Sequence, residues 1–252
     1  MAETKIEWAD FTFNPWVGCQ KVSPGCDRCY AEGWAKRSGQ VQWGPHAARR
    51  RTSLENWRKP LRWATQASDR LIGTGRPRVF CASLADVFDN QVPEAWRHDL
   101  WMLIGQTAEL DWLLLTKRPE NVEKMLPYSW RTTGEPYPNV WLGFTAEDQE
   151  HFDRRWKIMR EIPATVRFCS YEPAIGPLRL YKSTPPLYTE GLDWLICGGE
   201  SGHGHREMDQ QWEEDIRLDC AEAGVAYFFK QRSGKLPIDP GYPLVRQFPR
   251  AA

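Results

Sequence analysis

Six short apolar runs, each closing on polar or charged residues, constrain the fold of this chain more than any other feature. They cover 78–83 (RVFCAS), 111–116 (DWLLLT), 140–145 (VWLGFT), 166–171 (VRFCSY), 192–198 (LDWLICG) and 226–230 (AYFFK). Runs apolar at nearly every position suit strands buried on both faces, as in a parallel sheet, because a half-exposed strand would alternate with polar residues. Helical patterns lie between them. The stretch 93–108 begins with Pro93 and repeats apolar residues such as Trp96, Leu100 and Leu103 at helical spacing; 146–161 sets Phe152, Trp156 and Met159 on one side; 209–223 runs from a capping Asp209 to Gly224. A further short strand is expected over 11–16. Six or seven βα units in series predict an α/β fold, a partial (β/α) barrel of parallel strands. An open doubly wound sheet is the alternative, but no glycine-rich nucleotide fingerprint follows the first strand.

No break in composition divides the 252 residues, so 1–252 reads as one barrel-like domain. An irregular-to-helical elaboration is expected at about 40–75 and a surface insertion at 182–191. Lysine plus arginine balances aspartate plus glutamate at 33 each, which argues against coating nucleic acid by bulk charge and leaves local basic patches open. No apolar run is long enough to span a membrane, and the N-terminus lacks the apolar stretch of a secretory signal, so a cytoplasmic protein is expected. Most of the fourteen tryptophans are expected in the core.

Three of the seven cysteines fall within eleven residues, as Cys19-x6-Cys26-x2-Cys29, in a loop at 14–32 bent by Pro24 and Gly25. In a reducing compartment such a cluster favours metal binding over a disulfide framework. Two readings stand side by side. A structural zinc site needs a fourth ligand, such as His46 or Cys81, and would staple a nucleic-acid-binding module whose Arg49-Arg50-Arg51 meets phosphates. A 4Fe-4S cluster held by three cysteines would instead leave one iron open to a small molecule. Cys81, Cys169, Cys197 and Cys220 lie singly in apolar segments and read as small core residues.

In a barrel of parallel strands the chemistry gathers at the C-terminal strand ends. Here those ends carry Asp86, Lys117, Glu147, Glu172, Glu200 and Lys230. The double glycine Gly198-Gly199 before Glu200 permits close backbone approach by a ligand, with the carboxylate as acceptor for an amine or hydroxyl. Each of these also has a plainer reading, as helix N-terminal acids, solvated loop charges (Lys117, Arg118) or a tight turn at 198–202.

The segments from Asn14-Pro15-Trp16 through Cys29-Tyr30-Ala31-Glu32, with Leu115-Thr116-Lys117-Arg118-Pro119, Cys197-Gly198-Gly199-Glu200-Ser201-Gly202 and Phe228-Phe229-Lys230-Gln231, resemble a phage-associated and bacterial family defined by a three-cysteine motif. That family is of unknown function and is interpreted as radical-SAM-like (SAM, S-adenosylmethionine) on a partial barrel. The resemblance implies Cys19, Cys26 and Cys29 as ligands of a 4Fe-4S cluster, with SAM bound at the open iron and cleaved by an electron from a donor partner. It implies Tyr30 beside the cluster or adenine, Ser83 and Asp86 on the methionine part of SAM, and Gly198, Gly199, Glu200 and Glu172 on SAM or substrate. Lys117 and Lys230 would meet a substrate carboxylate or phosphate. The phage association suggests a small-molecule or nucleotide substrate, a nucleobase modification, and nucleic acid as a further candidate partner. The chain departs from the superfamily's commonest C-x3-C-x2-C spacing, with six residues between Cys19 and Cys26, and has Ser83 and Asp86 where a glycine-rich acidic motif is usual.

Overall fold

The computed structural model describes residues 4–69, 75–180, 189–234 and 244–249. Most of the expected insertion at 182–191 lies outside the described residues. In chain order the elements are β1 (Phe11–Thr12), β2 (Trp16–Val17), a 3-10 turn (Pro24–Cys26), α1 (Tyr30–Ser38), β3 (Arg50–Arg51), α2 (Leu54–Trp57) and α3 (Lys59–Ser68). There follow β4 (Arg78–Cys81), α4 (Glu94–Gly105), β5 (Asp111–Thr116), α5 (Pro119–Met125), α6 (Tyr128–Thr133), β6 (Val140–Ala146), α7 (Gln149–Met159), β7 (Val166–Tyr171), β8 (Trp194–Gly198), α8 (Gln210–Ala223) and β9 (Ala226–Gln231). Seven strands form one sheet in the order β1-β4-β5-β6-β7-β8-β9. Sheet neighbours thus follow one another along the chain, which makes the fold a partial (β/α) barrel of parallel strands, as the apolar runs predict.

The chain divides into two compact units. The first comprises Met1–Lys21, Ala31–Leu142 and Pro163–Thr165; the second comprises Val22–Tyr30, Gly143–Ile162 and Val166–Ala252.

In the first unit β1 pairs with β4 and β4 with β5, both in parallel. The strand expected over 11–16 is two strands of different sheets. β1 ends at Thr12, and Trp16–Val17 pairs antiparallel with Arg50–Arg51. The break falls at Asn14-Pro15. The Asn14 carboxamide oxygen accepts from the Leu84 amide (2.8 Å), and the Asn14 and Pro15 carbonyls both accept from the Thr52 hydroxyl (2.9 Å). Proline has no N–H to continue a ladder. Around β1 the core is aromatic: Phe11 stacks on Trp63 of α3 (centroids 4.4 Å apart), and Phe13 meets Trp57 and Trp112 edge-on. The 40–75 elaboration thus brings Trp57 and Trp63 onto the sheet.

In the second unit β7 pairs with β8 and β8 with β9 in parallel, and β8 is buried at every position. Both helices of this unit are capped by an aspartate side chain, α8 at the Asp209 read from the sequence. Asp148 accepts from the His151 amide at the start of α7, Asp209 accepts from the Gln211 amide at the start of α8, and Gly224 closes α8 at φ 70°. Phe152, Trp156 and Met159 are buried, as are Cys81, Cys169, Cys197 and Cys220. Six tryptophans (Trp8, Trp16, Trp112, Trp130, Trp156 and Trp194) are among the largest fully buried side chains.

Candidate functional site

The charged residues read from sequence do fall at or just past C-terminal strand ends. In the first unit Asp86 follows β4 and Lys117 follows β5. In the second, Glu147, Glu172 and Glu200 follow β6, β7 and β8, and Lys230 stands near the end of β9. Their partners, however, are mostly other parts of the chain.

In the first unit Asp86 is the hub of a buried network. Its carboxylate accepts from the Thr116 hydroxyl (2.8 and 3.0 Å), the Phe88 amide (2.9 Å), the Lys117 amide (3.3 Å) and Arg118 Nη1 (2.8 Å). Arg118 is only 3% exposed, so the solvated-loop reading of this arginine is corrected. The same guanidinium reaches the cysteine motif. Its Nη1 and Nη2 lie 3.5 and 3.6 Å from Cys19 Sγ, and Nη2 donates to the Gln20 carbonyl (3.1 Å). Burial pushes the Cys19 thiol up to about 11, with Arg118 pulling the other way. Ser83 Oγ accepts from the Asn14 carboxamide (3.0 Å), tying the end of β4 to the loop that leaves β1.

In the second unit two carboxylates hold the rest of the motif. Glu147 is fully buried and paired with Arg155, whose Nη1 also donates to the Thr145 carbonyl (2.7 Å). Glu147 Oε1 accepts from the Ser23 hydroxyl and from the Gly25 amide (3.2 Å). A Cβ on Gly25 would sit 2.6 Å from Glu147 Cγ, so this contact needs glycine. Glu200 accepts from the Arg206 amide (2.8 Å) and Nε (3.0 Å) and from Arg28 Nη1 (3.3 Å). Arg206 Nη2 in turn donates to the Pro24 carbonyl (3.0 Å), and its Nη1 stands 3.7 Å from Asp27. Burial raises the Glu200 carboxyl, but the hydrogen bonds from Arg206 and Arg28 outweigh it and hold the group below the usual carboxylate range. Lys230 is ion-paired with Glu172. Tyr30 opens α1 with its side chain exposed.

The second glycine of the pair serves the chain's own packing. A Cβ on Gly199 would lie 2.2 Å from the Ser233 amide nitrogen, whereas one on Gly198 would make ordinary contacts at 3.5 Å. Gly199 also donates its amide to the Gln231 carbonyl (2.9 Å). The close approach read from the sequence is thus made by the segment after β9.

The basic triplet is likewise engaged. Arg49 is buried on Asp89 (2.7 Å), Arg51 pairs with Asp99 (2.7 Å), and Arg50 donates to the Gln40 side chain (2.7 Å). His46 is exposed and Cys81 lies fully buried within β4, so among the described residues nothing supports the zinc-stapled nucleic-acid module. Among the described residues, no three cysteine, histidine or acidic side chains are gathered closely enough to hold a metal ion. The donor chemistry of the motif still fits a soft metal. All seven cysteines are free thiols, but Cys19, Cys26 and Cys29 are partly exposed where the other four are buried, and Cys19 has guanidinium donors at its sulfur. Arg28, Arg206 and Arg155 were not visible as site residues from sequence; only the loop arginine Arg28, between two cysteines, carried a positional signal.

An α/β protein of the partial-barrel class, with a cysteine loop leaving its first sheet strand, is thus defined. The chain belongs to the family described as protein of unknown function (DUF5131), which residues 3–239 match. No curated protein matches the sequence. Solved structures similar to it include a spore photoproduct lyase variant with bound AdoMet and dinucleoside spore photoproduct (12% identity, 99% of this chain and 71% of that chain, TM-score 0.49). Another is spore photoproduct lyase complexed with dinucleoside spore photoproduct (12% identity, 88% of this chain and 65% of that chain, TM-score 0.46). Among the described residues no helix is long and apolar enough to cross a membrane.

Proposed function

We propose that this protein is an iron–sulfur enzyme of radical SAM type acting on a nucleotide-like or other small-molecule substrate in the cytoplasm, with a separate electron donor. The observation that carries the reading is the position of the cysteine loop: it follows β1 and the short β2, in a chain whose strands β4 to β9 carry charged residues at or just past their C-terminal ends. Cys19, Cys26 and Cys29 are the thiolates to hold a 4Fe-4S cluster, which together with SAM supplies one-electron reductive cleavage of a sulfonium. Arg118 keeps its guanidinium on the Cys19 sulfur and so favours the anionic form a metal ligand needs. Tyr30, exposed next to Cys29, offers a ring face to a purine. Ser83 and Asp86 would orient the methionine part of SAM, Asp86 through the network it already organises. Gly198, Gly199 and Glu172 would border SAM or substrate, and Lys117 and Lys230 are the cations for a substrate carboxylate or phosphate, which makes nucleic acid a further candidate. Glu200 contributes by holding Arg28 and Arg206 rather than as a free acceptor.

The test is anaerobic reconstitution with iron and sulfide, followed by a visible spectrum, metal counts and electron paramagnetic resonance with and without SAM. A brown protein whose reduced spectrum shifts on adding SAM and which releases 5′-deoxyadenosine supports the reading. A colourless protein that takes up zinc in place of iron overturns it.

A further inference from the structure

Two carboxylates that look from the sequence like ligand-binding groups are spent on one short stretch of chain. Every hydrogen-bonding partner of the Ser23–Arg28 stretch described above lies in its own unit. Ser23 and Gly25 bond to Glu147, the Pro24 carbonyl accepts from Arg206, Arg28 donates to Glu200, and Asp27 faces Arg206 at 3.7 Å. The stretch also makes its own 3-10 turn, with the Cys26 amide donating to the Ser23 carbonyl (2.9 Å) and the Asp27 amide to the Pro24 carbonyl (3.1 Å). Both carboxylates are buried and each is braced from behind, Glu147 by Arg155 and Glu200 by the backbone and side chain of Arg206. Such charge-assisted bonds are stronger than neutral ones, and the Glu147–Arg155 pair lies in the interior, whereas Arg28 and Arg206 keep part of their surface in solvent.

We propose that Glu147 and Glu200 are positioning residues that clamp the Ser23–Arg28 turn, and with it Cys26 and Cys29, into a fixed conformation before any metal arrives. A turn preset in this way lowers the ordering cost of bringing thiolates to one centre. Cys19 stands outside the clamp, since its sulfur is held by Arg118. The clamp itself needs no cofactor; only its benefit to metal uptake rests on the iron–sulfur reading.

The experiment uses the metal-free full chain. Alkylation by iodoacetamide is followed cysteine by cysteine with mass spectrometry, together with amide hydrogen exchange of the peptide spanning 23–29. Variants are Glu200→Gln, Ser23→Ala and Glu147→Gln, the last of which leaves Arg155 buried without its counter-charge and can fail to fold. Glu200→Gln and Ser23→Ala are therefore the deciding pair. Loss of one such bond is expected to speed exchange of the 23–29 peptide and labelling of Cys26 and Cys29 about tenfold. Labelling of Cys19 and of the core cysteines should stay at the wild-type rate, whereas general destabilisation would raise all seven together. Unchanged rates at Cys26 and Cys29 in both variants, or a uniform rise, would overturn the clamp. Reconstituting wild type and Glu200→Gln with iron and sulfide separates the two ideas: no iron in either sinks the iron–sulfur reading alone, and equal uptake rates sink the link between clamp and metal.

Discussion

Arg118 and Cys19 stand 99 positions apart in sequence, yet the guanidinium nitrogens lie 3.5 and 3.6 Å from the sulfur. The pairing depends on Asp86, whose carboxylate holds the same Nη1 at 2.8 Å. Removing the arginine strands a buried carboxylate. Arg118→Met is expected to cost about 3–5 kcal/mol of stability, the range for breaking a buried ion pair. Asp86→Ala should cost at least as much, because the Thr116 hydroxyl and the Phe88 amide lose their acceptor as well. Urea unfolding at neutral pH measures both; a loss under about 1 kcal/mol, typical of exposed pairs, would contradict the buried network.

The cysteines should separate into two groups. Replacing Cys19, Cys26 or Cys29 by alanine is expected to abolish iron incorporation. Replacing Cys81, Cys169 or Cys220 should cost on the order of 1 kcal/mol through packing alone and leave iron content intact. Iron retained by Cys26→Ala at the wild-type level would remove the motif from the metal site.

Gly198 and Gly199 should respond differently to a single methyl group. Gly199→Ala drives a Cβ to 2.2 Å from backbone, and overpacking of this kind costs about 1–3 kcal/mol. Gly198→Ala meets atoms no closer than 3.5 Å and should be well tolerated. Thermal melts of the two variants check this. Equal losses would mean that the double glycine is not set by the contact with Ser233.

Glu200 gives a pH signature. Its carboxyl is held below the ordinary value, so the stability it contributes is complete above the unfolded pKa of about 4.3 and is lost as pH falls through the lower folded value. The difference in unfolding free energy between wild type and Glu200→Gln should therefore be constant from neutral pH to about 5 and shrink below about 4. A difference that grows in acid would reverse the sign and exclude the assignment.

The seven-stranded architecture was legible because its signals are local. The run 111–116 matches β5 end to end, and 166–171 matches β7, since a strand buried on both faces must be apolar at almost every position. Asp209 and Gly224 were readable as the ends of α8 for the same reason: a cap acts within three or four residues of itself. The exception at 11–16 is a competition between neighbours. Phe11 through Trp16 is apolar enough for one strand, but Asn14 and Pro15 divide it between two sheets through partners in Thr52 and Leu84.

The sequence by itself determined which polar residues stand at the strand ends and that three cysteines share one loop. Only the tertiary structure decided what those residues face. Ser23 meets Glu147 across 124 positions and Arg28 meets Glu200 across 172, and no periodicity or spacing encodes a pairing between groups so far apart. A buried carboxylate must find a donor, but which donor reaches it is settled by how the chain packs. That is why Glu200 reads as an open acceptor in the sequence and is a filled one in the fold.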